Sequence, residues 1–205
     1  MAVSFALFDT LVDARYDAPA ADRVAAELRA RDVRVPDDWT AAYRETHIDL
    51  PEGAAAPLPA HVARALASRG VDAPHNAARR AAVAAFDPEV TLRPGAREAV
   101  DAAREAGPVA VCSNTTVPEL ARRVLIRADL RDAFDAVVTG LSCGWRKPAP
   151  QMFERVAAAL DSPPESLVHV GSDPATDGGL EALGGTYVDI AEVPLTAFPA
   201  WLEGR

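Results

Sequence analysis

The chain has 205 residues, 49% of them apolar and 25% charged, which fits a soluble globular fold with room for one sizeable core or two small ones. A formal net charge of -9 disfavours attraction to nucleic acid or to an anionic membrane surface, and no apolar run nears the roughly 20 residues that span a bilayer. The two cysteines and four histidines lack ligand spacing, which excludes a disulfide framework and a structural zinc site.

In chain order, the first eight residues read as a short buried strand, halted by Asp9-Thr10. Asp9 comes too early for a secretory leader, so the expected location is the cytoplasm. Residues 18–90 then turn helical. Val24 and Leu28 mark one helix, and Trp39, Tyr43 and His47, spaced i, i+4, i+8, mark a second. A third runs from His61 to a stop at Gly70, and a fourth from Asn76 to Phe86, with prolines punctuating between them. This stretch carries no strand signal.

After Pro94-Gly95 the pattern changes. A helix over 95–106 precedes strand Val109–Cys112, a helix near 117–127 precedes strand Ala136–Thr139, and a helix over about 149–160 precedes strand Leu167–Val170. A last helix near 176–183 leads to strand Thr186–Ile190. Short buried strands alternating with helices predict βαβ units, hence an α/β fold with a doubly wound, Rossmann-like parallel sheet. The first strand has to join that sheet, so the helical module is an insertion. The expected organisation is a core of residues 1–17 and 91–205 with a small all-helical cap over 18–90. Ligands of such sheets bind beyond the carboxyl ends of the strands, where Asp9-Thr10, Ser113-Asn114, Thr139-Gly140 and Gly171-Ser172-Asp173 fall.

Two segments carry chemistry. Lys147 is the only lysine in the chain, and its ammonium, in a loop feeding the crevice, suits an anionic nucleophile or a substrate phosphate. Ser113 ends a strand, and its hydroxyl with the backbone N–H groups after it suits phosphoryl oxygen, or else caps the next helix. His169, inside an apolar strand, reads as a core histidine, and the Trp39/Tyr43/His47 stripe as core packing.

Asp9-Thr10-Leu11-Val12-Asp13, Leu92-Arg93-Pro94-Gly95-Ala96, Cys112-Ser113-Asn114, Arg146-Lys147-Pro148 and Val168-His169-Val170-Gly171 occur in that order. Together they resemble the successive landmarks of the haloacid dehalogenase-like hydrolase superfamily, over nearly the whole core. The helical segment is similar to the cap that many members insert after the first strand. The acidic, lysine-poor composition also resembles that of proteins from salt-loving microbes.

The resemblance implies an aspartate at the end of the first strand that attacks phosphorus, or carbon in the dehalogenases. It implies a second aspartate as general acid/base in the phosphatases, Mg2+ on acidic residues, and a hydroxyl with a lysine steadying the transferred group. On that basis Lys147 and Ser113 are the catalytic candidates. Thr10, Ser113, Asn114 and Lys147 are the phosphate-binding candidates, and Asp173 and Asp177 the metal ligands.

The chain departs from the pattern at the reacting positions. Anchored on Thr10, the nucleophile position is Ala6 and the acid/base position is Phe8. Asp9 lies three residues on, roughly 10 Å along an extended chain, and replaces the carboxylate only if the loop re-aims it. The last motif reads Gly171-Ser172-Asp173, with serine and aspartate exchanged, and Asp177 at the later acidic position. Magnesium binding is therefore lost or weakened. Three readings stay open: a catalytically impaired member keeping an anion-binding crevice or a protein partner, an active hydrolase using Asp9 or Asp173, and an Ala6 that is not the natural residue.

Overall fold

The computed structural model describes residues 1–205. Strand β1 (Ala2–Phe5) and β2 (Val12–Arg15) lead into four helices, α1 (Ala20–Arg29), α2 (Trp39–Arg44), α3 (Leu58–Ala67) and α4 (Ala77–Ala84). Then follow β3 (Glu89–Leu92), α5 (Ala96–Ala106), β4 (Val109–Ser113), α6 (Leu120–Arg127), β5 (Ala136–Thr139), α7 (Gly140–Cys143) and α8 (Pro150–Ala159). Strand β6 (Leu167–Gly171), α9 (Pro174–Asp177), a 3-10 turn over Gly178–Leu183, β7 (Thr186–Asp189) and α10 (Phe198–Glu203) complete the chain. No helix is long and apolar enough to cross a membrane.

Five strands form one sheet in the order β5-β4-β1-β6-β7, every pairing parallel. This is the doubly wound α/β arrangement that the sequence predicts. The chain builds outward from β1 through β4 and β5, then returns to the other side through β6 and β7. The switch point therefore lies between β1 and β6, where the ends of adjacent crossovers diverge and leave a crevice.

The two sheet faces follow from the period-2 alternation of the strands. Val3, Phe5, Val109, Val111, Val168 and Val170 face one way and pack against α5, α6 and α10 through Val100, Val124 and Phe198. Ala2, Ala110, Cys112 and Leu167 face the other way, onto Met152, Phe153 and Val156 of α8. Strands β1, β4 and β6 are buried throughout, as sheets covered on both faces require. The helical segment has a buried cluster of its own, built from Val24 and Leu28 of α1, Trp39 of α2, Val62 and Leu66 of α3 and the alanines of α4.

Four elements differ from expectation. The second helix stops at Arg44, short of His47, whose ring bonds the Ala42 carbonyl from the following loop. Trp39 is core, with its indole N–H donating to Ala21 O at 2.8 Å. Strands β2 and β3, which pair antiparallel where the chain leaves and re-enters the core, have no clear alternation in sequence. They form because two chain passes at one place can satisfy each other's backbone groups. Helix α10 was also unanticipated; it closes one sheet face through Phe198, whose ring meets Phe5 at 5.7 Å.

Segment 53–58 docks the helical part on the core. Ala55 N–H donates to Gly144 O at 2.8 Å, Arg146 N–H to Gly53 O at 2.8 Å and Leu58 N–H to Thr116 O at 3.2 Å. On the other side Arg123 and Arg127 of α6 reach the Asp87 carboxylate and the Phe86 and Pro88 carbonyls.

Candidate functional site

A crevice of about 520 Å³ opens at the carboxyl ends of β1, β4 and β6. Ala6, Asp9, Ser113, Asn114, Lys147, Ser172, Asp173 and Asp177 all line it. Thr10 does not: it is fully buried and its hydroxyl has no partner. The structure thus gathers most of the sequence candidates and leaves Thr10 behind the wall.

Asp177 is the hub. Its Oδ1 accepts from Lys147 Nζ and lies 3.2 Å from His169 Nε2. Its Oδ2 accepts from the backbone N–H groups of Ser172 at 2.9 Å and Asp173 at 3.1 Å. Burial by itself would raise the Asp177 pKa, but the His169 hydrogen bond and the Lys147 charge outweigh it and hold the carboxyl well below its usual range. Gly171 makes the approach geometrically feasible. A Cβ there would stand 2.2 Å from Asp177 Oδ2. Gly171→Ala is therefore expected to displace the carboxylate and destabilise the fold by about 2 kcal/mol; a thermal melt matching the parent would show that the carboxylate sits elsewhere.

Lys147 Nζ also donates to Cys112 O at 3.0 Å. The ammonium also lies 3.4 Å from His169 Nε2, and Lys147 lines the crevice. Asn114 holds the loop in place: its Oδ1 accepts from Lys147 N–H at 2.7 Å and its Nδ2 donates to Lys147 O at 3.1 Å. The Asn114 amide is therefore engaged with the lysine's backbone while lining the crevice. Ser113 is buried at the crevice floor. The next helix, expected near 117–127, begins at Leu120 with Glu119 as its N-cap residue, so Ser113 does not cap it.

His169 was read as core, and it is fully buried, but it is also part of the site. Its Nδ1 lies 2.9 Å from Ser4 Oγ, the residue opposite it in the β1–β6 register. With Nε2 protonated, the ring donates to Asp177 and accepts from Ser4, which satisfies both partners. Burial, and then the Lys147 charge, lower its pKa to about 4. A polar residue among apolar neighbours was the one sequence signal that marked it. Cys112 is no alternative nucleophile, because burial pushes its thiol up to about 12.

The exchanged serine and aspartate have a local reason. Asp173 caps α9, accepting from Ala175 N–H and Thr176 Oγ1 at 3.0 Å each. Asp9 sits in the left-handed region at φ 59°, its side chain exposed at the crevice edge.

These donors do not fit Mg2+. The ion requires near-octahedral oxygen ligands that include free carboxylates. Ala6 offers no side-chain oxygen, both oxygens of Asp177 are engaged, and the Asp173 carboxylate is a helix cap. No group of three His, Cys, Asp or Glu side chains is placed to hold a metal ion.

Residues 2–184 match the family model of haloacid dehalogenase-like hydrolases. The chain belongs to that family. It is similar to the ribulose-1,5-bisphosphate 5-phosphatase of Halopiger xanaduensis, 38% identical over 103 residues, 49% of this chain and 42% of that protein. The match thus spans less than half the length of this curated relative. Among solved structures, the 2-haloacid dehalogenase of Pseudomonas syringae pv. Tomato DC3000 superposes with a TM-score of 0.64 at 18% identity, covering 99% of this chain and 98% of that one. CbbY of Rhodobacter sphaeroides, solved in complex with phosphate, gives 0.59 at 22% identity over 91% and 84%. At these identities the two structures speak for the fold alone.

Proposed function

We propose that this family member has lost, or nearly lost, hydrolytic turnover and holds a small phosphorylated or carboxylate anion in the crevice, beneath a helical cap formed by residues 18–90. The observation that carries this reading is the closed network around the nucleophile position. Lys147, His169 and two backbone N–H groups saturate Asp177, while Ala6 lines the same crevice with nothing to react. Removing a family nucleophile costs orders of magnitude in rate. What remains is an ammonium and a serine hydroxyl lining one crevice, which suits binding rather than bond-breaking. Such a fold serves as a ligand-sensing or protein-partner subunit as readily as an enzyme.

One observation favours a second reading, an active hydrolase that uses Asp9. The left-handed turn places Asp9 at the crevice, and its carboxylate enters no ion pair. Asp173 has no comparable freedom, since it caps α9.

The test is release of nitrophenol from p-nitrophenyl phosphate, with and without Mg2+, by this chain, by Ala6→Asp and by Asp9→Asn. The parent is expected to release no more than buffer. Turnover by the parent that Asp9→Asn abolishes would overturn the proposal in favour of the second reading. Turnover confined to Ala6→Asp locates the loss at that single residue.

A further inference from the structure

The two sides of the crevice differ in kind. Most of its ionic and hydroxyl groups, among them Lys147, Ser113, Asp177 and Thr176, come from the ends of β4 and β6 and the segments that follow the strands. The facing wall is Phe8, Tyr16, Leu58, Phe86, Val117 and Leu120. Leu58 and Phe86, the only lining residues drawn from the helical segment, offer no hydrogen-bonding side chain.

The aromatic part of that wall is held in place. Tyr16 and Phe86 meet edge to face, with centroids 5.7 Å apart at 73°. The Arg23 guanidinium of α1 lies 3.5 Å over the Tyr16 ring and 4.8 Å from that of Phe86. Arg23 has no ion pair to satisfy, and its Nε and Nη1 are buried without a partner. Its engagement is with the two rings.

Resting on the reading of the crevice as an anion site, we infer that its ligand is an oxyanion carried on an aryl body, and that Tyr16, Leu58 and Phe86 determine that specificity. The head group meets Lys147 and Ser113 at the polar floor, and the ring lies against the aromatic wall. A polyol body would set hydroxyls against Leu58, Phe86 and the other apolar side chains of a wall on which Tyr16 has the single hydroxyl, and unpaired polar groups are what binding sites reject most strongly. A flat ring instead buries apolar surface and gains edge-to-face contacts. About 520 Å³ is within the size range of small-molecule sites.

Calorimetric titration of the full chain with inorganic phosphate, phenyl phosphate, phenylacetate and sorbitol 6-phosphate tests this. Phenyl phosphate is expected to bind about tenfold more tightly than either inorganic phosphate or sorbitol 6-phosphate. Phenylacetate against phenyl phosphate then distinguishes a carboxylate head from a phosphate head. Phe86→Ala should remove the aryl advantage and leave inorganic phosphate binding within about twofold of the parent. Leu58→Asn, which spares the aromatic pair, should narrow the gap between sorbitol 6-phosphate and phenyl phosphate. Inorganic phosphate binding with no aryl preference overturns this inference and leaves the anion site standing. No binding by any of the four probes overturns both.

Discussion

Asp177→Asn should be the most damaging single change in the core, lowering stability by roughly 3–5 kcal/mol. Both side chains of the Lys147–Asp177 pair are 4% exposed, so the variant leaves a buried ammonium facing a neutral amide. For a chain of this length that corresponds to a fall in Tm of roughly 10 °C. The loss would not show that the pair is a large net stabiliser, because most of it is the penalty on the partner left behind. Lys147→Met combined with Asp177→Leu removes both charges and should stand within about 2 kcal/mol of the parent. Urea denaturation of the two single variants and the double variant measures the coupling. If Asp177→Asn costs less than about 1 kcal/mol, the pair is hydrated and the closed network described here is wrong.

The second large effect is a loss of stability on mild acidification. His169 is fully buried and its pKa falls from 6.5 to about 4 on folding. Between those values the unfolded chain binds a proton that the folded chain refuses. The stabilisation from His169 is therefore complete above pH 6.5 and lost as the pH falls towards 4, an effect of about 3 kcal/mol. Asp177 acts in the same direction at lower pH, because its depressed pKa contributes stability that disappears as the carboxylate protonates. His169→Gln should abolish the slope between pH 6.5 and 4 while keeping the steeper loss below it. Denaturation midpoints at half-unit pH steps provide the check. A parent whose midpoint stays constant from pH 6.5 to 4.5 would show that His169 titrates in the folded protein as it does in water.

These two residues also show where sequence reading works and where it stops. Asp177 was visible through its place in a family motif, and Lys147 through being the only lysine. His169 was not visible as a site residue. Its role depends on Ser4 lying opposite it across a strand pairing 165 positions away in sequence, and periodicity has no access to register between distant strands. Asn114 lies at the crevice, and its bonds to the Lys147 backbone were not legible in the sequence, because only the fold brings that backbone against its amide. The capping contacts of Asp173 with Ala175 and Thr176 were likewise not legible in the sequence.

The sequence by itself determined the alternation of buried strands with amphipathic helices, the run of helices between the first strand and the later ones, and an alanine at position 6. Those features are local: the side-chain period and the identity of one residue decide them. Tertiary structure alone decided which groups meet at the crevice. Packing turned Asp177 to Lys147 and His169, since buried charge has to be matched by buried charge and hydrogen bonds. It also set Tyr16 beneath Arg23 and beside Phe86, residues from the end of β2, from α1 and from the loop after α4. Their common surface comes into being only when the two chain passes of β2 and β3 meet.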